Sequence, residues 1–437
     1  MSSSRQHAPR VPAVRHGRLR RSSPWVTGAK IVAGALAVVL VSGASVGAYA
    51  VWDVVASSKP SVDLGKTPPP ASIDEIKGGV NLLLVGSDSR QGQDPAIFGD
   101  PTKETGVLND VTMLMHISED HTAATVVSFP RDMFVPIPSC DKPEGGSYPA
   151  MASQKINTTL GYGGLPCTVK TVEALTGLDI PYAAEVQFSG VIELSNAVGG
   201  VEVCVAQGIA DPYTGTYLDA GTHNLQGLAA LQFLRTRHGV GDGSDLGRIS
   251  NQQVFLSSLV RTLQDGKTLS DPTKLFSIAK AAVSNMTLSS SLNNVNTMVQ
   301  IASALRNIPL SQIVFVQYPN VIVDKPGHNG VDPLPIPAKA LFDALKADQH
   351  ISLTGGTGLG SVVENPETPV DGTATPPATP GGEGGSGAPE TPTTGGTETT
   401  PPASTDPSTP PAVIELPSSV TGQNAGEQTC SAGNKRK

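Results

Sequence analysis

The sequence predicts an α/β protein behind one membrane-spanning helix and ahead of a disordered tail, and three observations carry that prediction. Residues 31–52 (IVAGALAVVLVSGASVGAYAVW) hold no charge. From residue 80 to residue 348, short runs of branched apolar residues alternate with segments of helical spacing. Beyond residue 355 the composition collapses to Gly, Pro, Thr, Ser and Glu, which cannot bury enough apolar area to fold.

The first thirty residues contain Arg5, Arg10, Arg15, Arg18, Arg20, Arg21 and Lys30 and no acidic residue. The apolar run that follows, at ~1.5 Å per helical residue, reaches roughly 33 Å and spans a bilayer core. Its basic flank places the N-terminus in the cytoplasm and everything after Trp52 outside. Small residues at Ala48 and Ala50 leave a cleaved signal as the alternative to an anchor. The resulting organisation is a cytoplasmic basic segment (1–30), a transmembrane helix (31–52), a Pro-bearing, loosely extended tether (53–77), an extracytoplasmic domain (78–352) and a disordered Gly/Pro/Thr-rich tail (353–437) with one short apolar patch, AVIEL. About 275 residues are enough for the domain to bury a real core.

Four cysteines agree with export. Cys140 and Cys167 bracket a Gly-, Pro- and Ser-rich excursion that a bridge would staple. Cys204 is then left for Cys430, or is a small buried hydrophobe in a strand. The spacings do not suggest zinc. The net charge of −8 and the scarcity of aromatics argue against a nucleic-acid partner, which requires a basic face.

Within the domain, VNLLLV (80–85), DVTMLMHI (110–117) and ATVVSF (124–129) read as strands, the last two joined by a hairpin-length connection. If the three form an antiparallel meander, Asp88, Arg90, Asp110 and Arg131 all fall at one end of the sheet. Residues 167–180 read as a helix closed by Gly177, and 186–205 as strand, helix and strand. Helical spacing then carries LQGLAALQFLR into Arg235, and residues 246–263 form a helix on which Arg248 and Gln252 share a face. Helices near 274–283 and 293–306, a strand at 313–319 and a helix at 337–348 complete the domain.

Basic side chains gather in FPRD (129–132), KIN (155–157) and FLRTRHGVGDGSDLGRISNQQ (233–253) of a chain that is acidic overall. Arg131, Arg235, Arg237 and Arg248 lie beside Gly, Pro or Asp at the edges of apolar segments, where guanidinium forks can converge on phosphate oxygens. Asp88 and Asp110 add carboxylates, and arginines with a few carboxylates are what phosphoryl transfer requires. Singly, each residue has an ordinary explanation: Asp88 as a turn cap, Arg131 paired with Asp132, Lys155 as surface. Their joint occurrence favours a polyanion site.

With these segments in place, the chain resembles the LytR-CpsA-Psr family of cell-envelope proteins: NLLLVGSDSR, NDVTMLMHI, VVSFPRDMFVPIP, KIN, the VGGVEV segment and FLRTRHGVGDGSDLGRI occur in order. The resemblance implies an α/β/α sandwich around a mixed, partly antiparallel sheet, with a cavity for a polyprenyl chain and an arginine-lined mouth. It implies a phosphotransferase that moves a glycopolymer from an undecaprenyl-pyrophosphate carrier to peptidoglycan, onto the 6-hydroxyl of muramic acid. It places Asp88 and Asp110 at magnesium (or manganese in its stead) and pyrophosphate, and Arg90, Arg131, Lys155, Arg235, Arg237, Arg248 and Gln252 at the phosphates. Asp88 and Arg131 are the expected catalytic residues, Asp88 activating the acceptor hydroxyl unless it serves the metal alone. One departure stands out: Asn251 occupies a position where many members carry Arg. Alternative readings of the same site are a polyprenyl-pyrophosphate pyrophosphatase and a non-catalytic, lipid-pyrophosphate-binding envelope regulator.

Overall fold

The computed structural model describes residues 24–142, 144–265, 268, 271–364 and 413–434. It divides into two compact units, one ending at Ala56 and one running from Ser57 onward. In the first, helix α1 (Pro24–Ala56) contains the predicted apolar run and is long and apolar enough to cross a membrane. The basic residues expected in the cytoplasm lie, up to residue 23, outside the described residues.

The second unit is built on seven strands: β1 (Val80–Ser87), β2 (Asn109–Ile117), β3 (Ala124–Phe129), β4 (Tyr182–Val186), β5 (Met286–Leu288), β6 (Ile313–Gln317) and β7 (Gly422–Asn424). Their order across the sheet is β5-β4-β1-β2-β3-β6-β7. β1, β2 and β3 form the predicted antiparallel meander. β4 joins β1 and β6 joins β3 in parallel, while β5 and β7 close the edges antiparallel, so the sheet is mixed.

The helices are a single turn α2 (Pro95–Phe98), then α3 (Thr159–Thr176), α4 (Phe188–Val198), α5 (Leu228–Arg235), α6 (Asp245–Gln264), α7 (Pro272–Asn285), α8 (Val295–Asn307) and α9 (Pro335–Lys346). α3 begins earlier than its apolar spacing indicates. Its backbone leaves the helical region at Gly163 and Gly164, so Pro166 sits in the first turn of a second segment, where its missing N–H costs little. Gly177 ends it in the left-handed conformation, as the sequence indicates.

Strand alternation sorts the core into layers. Leu83, Val85, Leu114, Val127, Val314 and Val316 face one way and pack with Leu165, Val169 and Val172 of α3 and Leu341, Phe342 and Leu345 of α9. Leu82, Leu84, Met113, Met115, Val126 and Phe315 face the other way, towards Leu256, Leu259, Val260 and Leu263 of α6 and Leu305 of α8. The architecture is the α/β/α sandwich. Because both faces are covered, β1 is apolar at nearly every position rather than at every second one.

Two sequence expectations are corrected. The stretch from residue 57 to residue 77 is not a loose tether. The amide of Lys59 donates to Val283 O and that of Val62 to Leu288 O, Lys66 pairs with Glu173 and Asp179, and Ile73 is buried. A Pro- and Ser-rich composition reports the lack of helix or strand, and docking through backbone groups leaves no mark on it.

The second correction concerns the tail, of which residues 365–412 lie outside the described residues. Residues 353–364 and 413–434, expected to be disordered, are folded. Val413–Leu416 pairs in parallel with His350–Leu353. β7 extends the main sheet, and Thr429–Ser431 lies between Val201–Val205 and Ser361–Val363 in a four-stranded sheet completed by Gly221–Leu225. Leu416, Val420 and Ala425 are buried there. Both disulfides form, Cys140–Cys167 with Cα atoms 5.4 Å apart and Cys204–Cys430 with Cα atoms 4.5 Å apart.

Candidate active site

The meander delivers three strand ends to one place. The register slips between Gly86, opposite Val111, and Ser87, opposite Asn109, which leaves Asp110 as the extra residue of a bulge. A bulge re-aims the side chain it inserts, and Asp110 meets Arg131 just beyond β3, its Oδ1 accepting from Arg131 Nη1 at 2.5 Å. Asp88, one residue past β1, accepts from the Leu108 amide at 2.7 Å.

Four further segments close on this corner. The Ser244 hydroxyl caps α6, and Asp245 in its first turn is buried. One oxygen of Asp245 lies 2.6 Å from Arg248 Nη2, and the other accepts the Arg131 amide at 3.2 Å. Arg248 Nη2 also donates to the Asp110 carbonyl at 2.7 Å. Lys155 donates to Asp132 at 2.9 Å, and Arg90 pairs with Glu104. Arg235, the last residue of α5, lies with its guanidinium 4.4 Å from the Phe188 ring centroid, and that guanidinium makes no hydrogen bond or ion pair with the described residues. Gln252 donates to the Leu234 carbonyl at 3.0 Å, which turns its amide towards the end of α5.

The electrostatics are those of a site short of anions. The Nε atoms of Arg131, Arg237 and Arg248 are buried without a hydrogen-bond partner. Burial lowers the Arg235 pKa, and the like charges of Arg90 and Arg248 add to the effect. Burial also works against the Arg131 charge, but Asp110, Asp245 and Asp132 together hold its pKa above the usual value. Asp132 is lowered despite its burial by Lys155, Arg131 and Arg237. The Asp88 carboxyl is raised, first by burial and then by Asp110, against the Leu108 amide and the arginines.

Below the arginines an apolar channel runs between the sheet and α6. Its upper chamber, about 120 Å³, is lined by Asp110, Arg235, Arg248 and Gln252 at one end and by Leu84, Met113 and Leu256 at the other. The same three apolar residues line a second chamber of about 300 Å³ with Leu82, Met115, Val126, Leu259, Leu263 and Phe315.

Asp88 and Asp110 suit a hard dication. They lie within mutual electrostatic reach, and each uses only one carboxylate oxygen in hydrogen bonds with the described residues. Magnesium takes one or two carboxylates plus phosphate oxygens and water.

Every residue predicted for the site is at this end of the sheet or on an element that packs there. Two contributors were not predicted in their roles. Asp245, in the first turn of α6, joins the Arg131 amide to Arg248. Asp211 gave no signal, because its partners on the loop after α5, the Thr236 hydroxyl and the amides of residues 237–239, lie 25 to 28 residues further along the chain.

The LytR_cpsA_psr family model matches residues 51–348. The cell wall biosynthesis protein LcpA of Corynebacterium glutamicum is 30% identical over 318 residues, covering 67% of this chain and 60% of that protein. The probable cell wall biosynthesis protein LcpB of the same species is 31% identical over 287 residues, covering 63% of each. This chain therefore matches less than two thirds of the length of either corynebacterial protein. The polyisoprenyl-teichoic acid–peptidoglycan teichoic acid transferase TagT of Bacillus subtilis is 28% identical over 315 residues, 70% of this chain and 89% of that one. Among solved structures, the LytR-Csp2A-Psr enzyme from Actinomyces oris covers 66% of this chain and 96% of its own at 20% identity, with a TM-score of 0.48.

Proposed function

This chain belongs to the LytR_cpsA_psr family, and we propose from that premise that it is a membrane-anchored phosphotransferase joining a glycopolymer to peptidoglycan. The donor in this reading is a polyprenyl-pyrophosphate-linked glycopolymer. α1 is the anchor, with its N-terminus in the cytoplasm and the second unit outside. The observation that carries the reading is the junction of two environments: Arg235, whose guanidinium makes no hydrogen bond or ion pair with the described residues, and Arg248, whose Nε makes no hydrogen bond, stand at the head of an apolar channel. A lipid pyrophosphate has that polarity, an anionic head on a hydrocarbon chain.

The chain's own residues divide the work. Leu84, Met113 and Leu256 hold the first isoprene units where the two chambers meet. Arg235 and Arg248 border the upper chamber, placing cations on the phosphate next to the lipid. Arg131, Arg237 and Lys155 face the phosphate next to the sugar. The acceptor hydroxyl of a muramic acid residue attacks that phosphorus, forming a phosphodiester, while the bond from phosphorus to the bridging oxygen breaks. Polyprenyl phosphate leaves with its new charge matched by Arg235 and Arg248. The hydroxyl proton goes to Asp88, whose second carboxylate oxygen makes no hydrogen bond with the described residues. Asp88 and Asp110 would hold magnesium, or manganese in its place, which supplies charge neutralisation at the pyrophosphate when bound. No protein nucleophile is required.

The test is product analysis with a synthetic polyprenyl-pyrophosphate glycan and peptidoglycan fragments. Glycan covalently linked to muropeptide through a phosphodiester supports the proposal. Release of free glycan phosphate alone identifies a pyrophosphatase, and tight donor binding without any product identifies a binding protein.

A further inference from the structure

We propose that Asp211 is a positioning residue for the phosphate-binding arginines, a carboxylate that folds the loop after α5 and so sets the direction of Arg237. The inference rests on the pyrophosphate site described above and assigns a role to a residue outside it.

Asp211 ends a short strand, Ile209–Asp211, that pairs with Thr216–Leu218 in a two-stranded hairpin. It is completely buried. Its Oδ2 accepts from the Thr236 hydroxyl at 2.8 Å, the Arg237 amide at 3.0 Å, the His238 amide at 3.0 Å and the Gly239 amide at 3.4 Å. Its Oδ1 accepts the Tyr213 amide at 3.1 Å. One carboxylate therefore gathers the donors of four consecutive residues, 236–239, immediately after the helix that ends at Arg235. The chain leaves that helix in an extended conformation at Thr236 (φ −59, ψ 133). A backbone turning there needs something to fix where it goes next.

The fit around the carboxylate is close. A Cβ on Gly239 would stand 2.9 Å from Ile209 Cγ2, 3.0 Å from Asp211 Cβ and 3.1 Å from Thr236 Oγ1. Ile209 in turn is buried with Phe233, Val240 and Phe255, so the hairpin is seated on the core that supports α5 and α6. The hydrogen bonds hold the Asp211 pKa down against its burial, which keeps the group ionised. Arg237, pinned by its own amide, presents a buried Nε with no partner and lowers the pKa of Asp132. Asp211 touches none of the reacting atoms in this arrangement. It acts through the arginine that follows the helix.

Asparagine has nearly the shape of aspartate but offers one acceptor oxygen and an NH₂ that repels incoming amides. The experiment measures binding of inorganic pyrophosphate, uptake of uncharged polyprenol and steady-state transfer on the full chain. The proteins are wild type, Asp211→Asn, Thr236→Val, Arg237→Ala and the double variant Asp211→Asn/Arg237→Ala. Losing hydrogen bonds to an ionised group should weaken pyrophosphate binding about 10- to 100-fold in Asp211→Asn. In Thr236→Val, which removes one hydroxyl and preserves the fold, the expected loss is about threefold. Polyprenol uptake stays near wild type in both. The double variant should be no weaker than Arg237→Ala alone, since a direction without its guanidinium has no effect on the anion.

Unchanged pyrophosphate binding in Thr236→Val overturns the inference, as does full additivity of Asp211→Asn and Arg237→Ala. Loss of polyprenol uptake in step with pyrophosphate binding also overturns it, by showing a general unfolding. A wild-type protein that binds pyrophosphate but only hydrolyses the donor sinks the transferase reading and leaves the role of Asp211 standing.

Discussion

Removing the Cys204–Cys430 bridge should destabilise the domain, although residue 430 follows a stretch whose composition reads as disordered. The perturbation is the double change Cys204→Ala and Cys430→Ala. The two cysteines are 226 residues apart, and closing a loop of that length is worth about 5 kcal/mol in the chain-entropy model. For a domain of this size each kcal/mol moves the melting temperature by about 2 °C, so the expected drop is about 10 °C at most. The bridge is not the segment's only attachment. Asn251 holds Ser431, Gln423 donates to Ser257 at 3.0 Å, and Arg261 donates to the Ala425 carbonyl at 2.8 Å. These keep the strand docked part of the time and bring the expected shift to about half the maximum. Transfer should fall as well, because the Gly241 amide donates to Ala432 O at 2.9 Å and the Asn434 amide to Gly239 O at 2.9 Å, bracing the loop that follows Arg237. Thermal unfolding of both proteins with and without reductant is the assay. A variant that melts with wild type, and a wild type indifferent to reductant, would refute the account of a docked C-terminal segment.

Three further outcomes follow from the site. Asp88 binds its proton more tightly folded than unfolded, so its ionised form subtracts from stability once pH exceeds the unfolded value of 3.8. Asp88→Asn should therefore raise the melting temperature of the metal-free protein at neutral pH while transfer collapses; a destabilised Asp88→Asn protein in metal-free buffer would contradict this. Leu256 lines both chambers of the channel, so Leu256→Trp should cut polyprenol uptake about 10-fold through overpacking while inorganic pyrophosphate binding holds, and equal loss of both would argue against the channel as the lipid site. Asp110→Ala should shift the magnesium titration of transfer to higher concentration, because it strips one of at most two carboxylate ligands; an unchanged titration would remove Asp110 from the metal.

Much of this molecule can be read from its residues, for identifiable reasons. The strands 80–87, 109–117 and 124–129 announce themselves because a sheet covered on both faces needs apolar side chains at nearly every position. Once their antiparallel order is granted, Asp88, Asp110 and Arg131 must share an end. The bulge that aims Asp110 was not legible, since it depends on a one-residue slip opposite Gly86. The C-terminal strands were hidden by their surroundings: residues 365–412 dominate the composition, and AVIEL is too short to declare a partner. Asn251 stands where the family resemblance leads one to expect Arg. Its amide donates to the Phe233 carbonyl at 2.8 Å and its oxygen receives the Ser431 hydroxyl, so in this chain the position serves the docked C-terminal strand. Asp211 is illegible for a more general reason. Three of its donors are backbone amides of a distant loop, and a sequence displays only side chains.

If guanidinium groups at the mouth of the channel neutralise charge growing on a transferring phosphoryl group, Arg131 is the residue that reveals it. Its Nη1 pairs with Asp110, and its Nε lies beside Asp132 and Asp245 without making a hydrogen bond. The measurement is the rate of glycan transfer from a polyprenyl-pyrophosphate donor to peptidoglycan fragments, wild type against Arg131→Ala, with donor binding determined in parallel. Transfer should fall about 100-fold or more with the polyprenyl chain still retained by the apolar channel. Transfer at the wild-type rate in folded Arg131→Ala would contradict that neutralising role.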